Sequence, residues 1–366
     1  MSLKIRMRGV QFTVSRRKLG RSKTCIYLTV ALTFLYVIFF AKYAHFQLEF
    51  LEKEEDNAPV EEVIKVTSPK YCPKYPATTT GVVDIDIFRE APSFNETDLL
   101  NPGIHSGGWW KPAGCKTLQK VAIIIPYRDR LSHLQHLLSY LHPILQRQQR
   151  HYRIYVIEQA YNDTFNKGRI MNIGYEEASR DDDWDCYIFH DVDMIPQNDN
   201  NLYECGTQPR HLSPALDEMR YTLMYSTLVG GVLALSKEQL IKTNGYSNLY
   251  WGWGSEDDDM SLRIQSAGYK ISRPPSRIGR YKMVHHEKRE IGRDRISLFA
   301  DWKRWPNDGI NSLHGLPHKI LEHRSENLFT KILVDIGPRP SNVLPSNEPR
   351  TVVQMIFNVV FFLTNV

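Results

Sequence analysis

The chain has 366 residues, 42% hydrophobic and 24% charged, a composition typical of globular rather than disordered proteins. Its net charge of +5 would ordinarily suggest a nucleic-acid partner, but the first 24 residues hold eight lysines and arginines and no acidic residue. Because the rest of the chain is slightly acidic, nucleic-acid binding is disfavoured.

An uncharged segment of 17 residues, from Cys25 to Ala41, follows this basic tail. Its richness in Leu, Ile, Val and Phe fits a membrane-spanning helix, although its length is at the short end for one. A cleaved signal peptide is the alternative, but no small-residue cleavage site follows the segment. We therefore expect a transmembrane signal anchor at 25–41, with the tail 1–24 in the cytosol and the rest of the chain in a lumen.

Cysteine usage agrees with a lumenal location. One cysteine falls in the anchor, and the other four suit two disulfides in an oxidising compartment. None forms a Cys-x-x-Cys pair, so zinc is not expected. Asn-x-Thr sequons at Asn95 and Asn162 are compatible with glycosylation. The four lumenal cysteines are Cys72, Cys115, Cys186 and Cys205.

Hydrophobic patterning then predicts the elements in chain order. Residues 42–70 are acidic and aperiodic and read as a stem. A buried strand at 121–125 is followed by leucines at helical spacing (131, 134, 138 and 141). A strand at 154–157, a helix after Asn166 and a strand at 186–189 complete a β-α-β-α-β order. This order predicts an α/β fold with a doubly wound nucleotide-binding sheet.

We assign 71–337 to one globular domain and 338–366 to a C-terminal extension. The extension starts rich in proline and asparagine and ends in an apolar tail at 352–366, which is too short for a confident membrane span. An edge strand and a membrane-dipping tail both fit this tail, so it is given no role.

Candidate chemistry begins at Asp191-Val192-Asp193, at the carboxyl end of the third strand. Carboxylates there can hold a divalent ion against a diphosphate, although acidic residues after strands are more often solvated turns or helix caps. Met283 and the adjacent histidines His285 and His286 offer further ligands, whereas alone they read as packing and surface residues. Only in combination do they predict a metal site.

The run Trp251–Asp259 packs two tryptophans and two glycines against four acidic residues. Its glycines permit a moving aromatic lid around Trp253, and Ser255 is suited to cap a following helix. Acidic residues in a first helical turn are also favoured by the helix dipole without any catalytic role.

Taken together, these motifs resemble the β1,4-galactosyltransferase family (glycosyltransferase family 7) over residues 72 to about 337. The motifs are Pro126–Arg130, Phe165–Lys167, Asp191–Asp193, Trp251–Asp259, Met283 with His286, and residues 308–313. The anchor and stem resemble the type II layout of this family, which implies a Golgi membrane protein with a lumenal GT-A catalytic domain.

The resemblance implies a role for each matching residue. Glu256 and Asp257 would be catalytic, as a sugar-orienting carboxylate and the base. Asp193, Met283 and His286 would bind Mn²⁺, and Cys72–Cys115 and Cys186–Cys205 would form disulfides. Donor and acceptor would be bound by Pro126, Tyr127, Arg128, Arg130, Phe165, Asn166, Lys167, Val192, Asp193, Leu228, Trp253, Ser255, Asp258 and Arg295.

The implied reaction is a single inverting displacement on a UDP-sugar. Asp257 would take the proton from the 4-hydroxyl of a terminal β-GlcNAc as that oxygen attacks the anomeric carbon. Two residues depart from the family pattern: Ser255 replaces a glycine, which would stiffen the lid, and Lys167 replaces an arginine, which loses the bidentate fork.

A third departure concerns the donor sugar. Family members that transfer galactose generally carry tyrosine where this chain has Leu228. A shorter side chain leaves room for an N-acetyl group, so we expect UDP-GalNAc as donor, as in the invertebrate β1,4-N-acetylgalactosaminyltransferases. The alternative is UDP-Gal, with Leu228 a packing substitution.

Other classes of function stay open. A catalytically silent sugar-binding protein of the same fold would not need the base, and a metal-dependent hydrolase would not need acceptor-side aromatics. Either Arg293 or Arg295 could contact the acceptor. A homodimer is compatible with this layout, and the acceptor could be a glycoprotein, a glycolipid or a free oligosaccharide.

Overall fold

The computed structural model describes residues 71–285 and 290–341, and the backbone of two short strands near the N-terminus. The chain divides into two compact units, Met1–Lys65 and Val66–Val366. In the first, β1 (Leu3–Met7) pairs antiparallel with β2 (Val10–Val14). The predicted anchor at 25–41 lies outside the described residues, and the described helices include none with the length and apolarity of a membrane span.

The second unit is built around a mixed β-sheet with helices on both faces. Its strands are β3 (Trp109–Trp110), β4 (Lys120–Tyr127), β5 (His151–Gln159), β6 (Cys186–His190), β8 (Arg210–His211), β10 (Val232–Ser236), β12 (Lys319–Ser325) and β13 (Thr330–Asp335). Their order in the sheet is β12-β13-β5-β4-β6-β10-β8, with β3 pairing against β5. Strands β13, β5, β4 and β6 are parallel, whereas β12, β10, β8 and β3 run antiparallel to their neighbours.

A small second sheet joins β7 (Met194–Pro196), β11 (Arg280–Met283) and β9 (Ala215–Leu216) in the order β7-β11-β9. The helices of this unit are α1 (Phe94–Leu100), α2 (Leu131–Arg147), α3 (Lys167–Asp181), α4 (Lys237–Lys242), α5 (Glu256–Ser266) and α6 (Arg295–Ala300). Short 3₁₀ turns cover Asp217–Met219, Trp302–Asn307 and Ile310–Gly315.

The predicted β-α-β-α-β order is confirmed as β4, α2, β5, α3 and β6. Helix α2 buries Leu134, Leu138 and Leu141 against one face of the sheet, as their spacing predicts, while Leu131 at its first turn is 56% exposed. Helix α3 packs on the opposite face. A methyl group on Gly174 would lie 2.6 Å from a side-chain carbon of Ile124, so this glycine lets the helix approach the sheet closely.

The disulfides implied by the family resemblance, Cys72–Cys115 and Cys186–Cys205, are both present. Cys186 is the first residue of β6, so its disulfide ties this strand to the segment before β8. Because β4, β5 and β6 are parallel, their carboxyl ends meet at one edge of the sheet, where open α/β sheets bind ligands. The sequon residues Asn95 and Asn162 are both exposed.

Candidate active site

Lys167, the first residue of α3, lies among three carboxylates at the carboxyl edge of the sheet. Its Nζ atom is 2.9 Å from Asp191, 3.4 Å from Asp257 and 3.6 Å from Glu256, and its side chain is only 16% exposed. Burial disfavours the charged amine, but the three carboxylates outweigh it and raise the pKa of Lys167 well above its usual value. The lysine is therefore a fixed cation in this cluster.

The carboxylates respond to the same environment. Burial raises the pKa of Glu256 to about 7, and the negative charge of Asp257 adds to this effect while Lys167 opposes it. Burial likewise raises the pKa of Asp191 to about 6, again against the effect of Lys167. Like charges in one buried site favour keeping a proton, so Glu256 can change protonation near neutral pH.

Helix α5 presents its acidic residues to this site from its first turn. The Gly254 backbone N–H donates to Glu256 Oε2 at 3.2 Å, and the Tyr225 hydroxyl donates to Asp258 Oδ1 at 2.8 Å. Ser255 stands at the N-cap position, but its side chain makes no capping hydrogen bond and its φ is +71°. The expected Ser255 cap is therefore wrong, because a left-handed backbone turns the side chain away from the helix N–H groups.

Gly230 leaves room for the candidate base. A methyl group at this position would lie 2.9 Å from Asp257 Oδ2 and 3.7 Å from Leu228 Cδ1. Leu228 therefore lines the space next to the Asp257 carboxylate, where its size can affect what binds. Arg273 holds this segment by donating to the Leu228 carbonyl at 2.8 Å.

The predicted lid region is exposed and lies against the segment around Ile291. The Trp253 side chain is 57% exposed, its backbone N–H donates to the Glu290 carbonyl at 2.9 Å, and Gly292 donates back to Trp253 at 3.0 Å. The Arg295 guanidinium lies 5.5 Å from the centre of the Trp253 ring. Arg293 instead pairs with Glu290 and its side chain is 75% exposed, so Arg295 is the arginine beside the lid.

In the segments that the resemblance predicts to bind the sugar nucleotide, Pro126–Arg130 and Phe165–Lys167, the Arg128 guanidinium lies 5.2 Å from the Phe165 ring centre and donates to the Tyr161 carbonyl at 3.2 Å. The Asn166 side chain is buried: it accepts from Arg169 N–H at 3.0 Å, which caps α3, and donates to the Asn248 carbonyl at 2.8 Å. Asn166 therefore shapes the start of α3 beneath Lys167. Pro126 and Tyr127 end β4, Arg130 lies 3.3 Å from His133 Nδ1, and Val192 is buried.

The proposed metal ligands approach one another through the backbone. Met283 pairs with Met194 between β11 and β7, and Val284 N–H donates to the Asp193 carbonyl at 2.8 Å. His286 lies outside the described residues. Over 71–285 and 290–341, no group of three or more His, Cys, Asp or Glu side chains is arranged to hold a metal. A carboxylate just before β7 and a thioether at the end of the neighbouring strand β11 still fit a site that needs a further ligand just after β11.

Most of the unit Val66–Val366 matches models of known protein families. Residues 72–206 match the family model of the N-terminal region of glycosyl transferase group 7, and residues 210–287 match that of the N-terminal domain of galactosyltransferase. β-1,4-Galactosyltransferase 3 of Mus musculus is 45% identical over 285 residues, which cover 76% of this chain and 71% of that protein. The chain belongs to the β1,4-galactosyltransferase family.

Further relatives of this glycosyltransferase include β-1,4-galactosyltransferase 4 of Cricetulus griseus, 44% identical over 72% of this chain and 76% of that protein. Among solved structures, the catalytic domain of Drosophila β1,4-galactosyltransferase 7 bound to xylobiose matches with a TM-score of 0.52 and 28% identity, over 62% of this chain and 96% of that one. A mutant of the same enzyme, bound to manganese, UDP-Gal and xylobiose, matches with the same TM-score and 27% identity. The GT-A-type α/β fold expected from the motifs is thus confirmed.

Proposed function

We propose that this chain transfers galactose from UDP-galactose to the 4-hydroxyl of a terminal β-GlcNAc with inversion, in a reaction that depends on Mn²⁺. The observation that carries the proposal is the cluster in which Lys167 pairs with Glu256 and Asp257 beside Gly230, whose lack of a side chain leaves room for the Asp257 carboxylate. Relatives named as galactosyltransferases, and a solved relative that holds manganese and UDP-Gal, support galactose over the GalNAc expected from sequence.

Each residue of the cluster has a distinct task in this reaction. Asp257 accepts the proton of the acceptor hydroxyl while its oxygen bonds to the anomeric carbon and the bond to UDP breaks, so an α-linked donor gives a β-linked product. Glu256 accepts a hydrogen bond from the transferred sugar, and Lys167 offsets the negative charge of both carboxylates. Asp193, Met283 and His286 would hold Mn²⁺, which would supply positive charge to neutralise the diphosphate.

GalNAc remains a second candidate donor because of one observation. Leu228 lies next to Gly230, on the side where the Asp257 carboxylate also lies. A leucine at this position is smaller than the tyrosine typical of galactose-transferring members. An apolar pocket discriminates weakly by size, so removal of bulk broadens donor choice more readily than it switches it.

We also propose a type II arrangement in the Golgi membrane, with the anchor at 25–41. Its support is the basic tail before the anchor and the two lumen-compatible disulfides after it. Protease protection of the catalytic domain in intact microsomes tests this arrangement, and cleavage without detergent would contradict it.

Donor choice is tested by initial rates from UDP-Gal and UDP-GalNAc with Mn²⁺ and a β-GlcNAc acceptor, in the wild-type chain and in Leu228→Tyr. We expect transfer of galactose by both proteins, with GalNAc transfer reduced by the tyrosine. A strong preference of the wild type for GalNAc, reversed by Leu228→Tyr, would establish the second candidate. Absence of transfer from either donor would refute the enzyme proposal.

A further inference from the structure

Arg304 lies in the 3₁₀ turn Trp302–Asn307, behind the first turn of α5, and its side chain is only 11% exposed. Its guanidinium donates to Asp259 Oδ2 at 3.0 Å, to Asp308 Oδ2 at 3.1 Å and to Ser247 Oγ at 3.1 Å. It also donates to the carbonyl of Leu298. A planar fork can satisfy several acceptors at fixed angles, which a lysine ammonium cannot reproduce.

These partners lie on different elements around the residues predicted to contact the acceptor, Asp258 and Arg295. Asp259 shares the first turn of α5 with Glu256 and Asp257, and Leu298 belongs to α6, the helix that begins at Arg295 beside the lid. The Tyr250 ring, just before the lid run, lies 5.4 Å from the guanidinium, and its hydroxyl donates to Asp259 at 3.1 Å. The Arg304 side chain thus contacts α5, which carries the candidate base Asp257, and α6, which begins at Arg295. It also lies beside Tyr250, the residue just before the predicted lid.

The charges around Arg304 are balanced and buried. Arg263, 1% exposed, pairs with Asp259 at 2.5 Å and with Asp308 at 3.3 Å. Two arginines therefore face two carboxylates of which Asp259 is fully buried and Asp308 nearly so. Loss of the directed hydrogen bonds of one guanidinium leaves a buried carboxylate in this group with fewer partners, which it can recover only by moving or by taking a proton. Movement of Asp259 displaces the turn that carries Asp257.

We infer that Arg304 is a positioning residue for the acceptor half of the transfer reaction, fixing the base helix, the Arg295 helix and the lid relative to one another. This role rests on the proposed function. The partners of Arg304 lie outside Pro126–Arg130 and Phe165–Lys167, the segments predicted to bind the nucleotide, so its loss lowers acceptor use and spares the binding of UDP.

The test compares Arg304→Lys with the wild-type full-length chain. A matched control is Arg150→Lys, a buried arginine paired with Glu204 at 3.0 Å among residues not assigned to the site. We expect Arg304→Lys to lower kcat/KM for the acceptor by about 10- to 100-fold, as for a reacting group displaced by a fraction of an ångström. The affinity for UDP with Mn²⁺ stays within about twofold of wild type, and the control changes neither quantity.

A second readout does not depend on turnover. Hydrogen–deuterium exchange should quicken in the peptides that cover residues 251–255 and 295–300 of Arg304→Lys, and stay unchanged in those that cover β4 and β6. Should this variant not fold, Ser247→Ala removes one hydrogen-bond acceptor of Arg304. It should give a smaller loss of kcat/KM for the sugar acceptor, again without a loss of UDP affinity. An unchanged acceptor kcat/KM, or an equal loss of UDP affinity, would overturn the role of Arg304. A wild-type chain that transfers no sugar would instead refute the proposed function.

Discussion

Replacing Lys167 with methionine removes the cation shared by Asp191, Glu256 and Asp257 and keeps a similar side-chain volume. The ammonium lies 2.9–3.6 Å from these carboxylates and is mostly buried. Breaking a buried ion pair by removing one partner costs about 3–5 kcal/mol, because the remaining charges stay desolvated. We expect a loss of this size in the free energy of unfolding at pH 8.

This loss in the free energy of unfolding should be smaller at lower pH, because the pKa of Glu256 is raised in the folded protein. This pKa is about 7 in the folded protein, against 4.5 for an unperturbed glutamate, so the fold loses stability as pH rises through this window. Without Lys167 the pKa rises further, and the penalty extends to higher pH. A shift of one unit corresponds to about 1.4 kcal/mol, so the loss at pH 5.5 should be smaller by roughly that amount.

Urea unfolding in EDTA, followed by tryptophan fluorescence at pH 5.5 and pH 8, measures both quantities without a contribution from metal binding. The control is Lys237→Met, which removes an exposed lysine paired with Asp183 and should change stability by less than about 1 kcal/mol. A Lys167→Met loss below about 1 kcal/mol, or one equal at the two pH values, would refute the electrostatic account of the cluster.

The remaining predictions concern the same site. With UDP-Gal, kcat/KM should fall as pH drops below about 7, because Glu256 gains a proton there, and Glu256→Gln should remove this limb from the pH profile. Gly230→Ala should lower kcat by about 10- to 100-fold by pressing on Asp257, whereas Gly315→Ala, which meets no atom within 4 Å, should leave kcat unchanged. Ser255→Gly should raise stability by up to about 1 kcal/mol, because relief of a left-handed backbone outweighs the extra entropy of unfolded glycine.

Each of these has a clear contrary result. A pH profile that keeps its acid limb in Glu256→Gln would place the titrating group elsewhere. Equal kcat values for the two alanine variants would mean that Gly230 does not limit the space for Asp257. A drop in melting temperature for Ser255→Gly would show that its backbone conformation carries no strain.

The sheet could be predicted because its strands are continuous apolar runs. β4 to β6 are buried on both faces, and the helices between them have apolar residues at helical spacing. Strands β12 and β13 were not predicted. β12 is mostly exposed and polar, with the sequence Lys-Ile-Leu-Glu-His-Arg-Ser, and its apolar pattern is too weak to mark a strand.

The candidate residues of the site could be predicted by type and by resemblance, but their arrangement could not. Lys167 is 24 residues from Asp191 and 90 from Asp257, and no local pattern connects residues at such separations. Its expected task was to bind the donor, and the structure adds that its ammonium pairs with Asp191, Glu256 and the candidate base Asp257. The order of charged residues along the sequence does not indicate that these four side chains meet.

Backbone geometry accounts for the absence of the expected Ser255 cap. Ser255 has the residue type and position of a helix cap, but the turn after Gly254 gives it a positive φ that sequence alone does not reveal. Arg304 was not identified from the sequence, because nothing in the pattern around it indicates that the fold buries this arginine. In the C-terminal extension, Arg339 donates from its backbone to Asp163 at 3.0 Å, near the Phe165 loop.

The most direct test of the proposed function measures UDP release by the full-length chain from UDP-Gal and Mn²⁺, with and without a β-linked GlcNAc acceptor. We predict release that requires the acceptor, a β1,4-linked galactose product by NMR, and loss of both in Asp257→Asn. Release that proceeds equally without acceptor would mean a hydrolase. Sugar binding with no release under either condition would mean a catalytically silent member of the family.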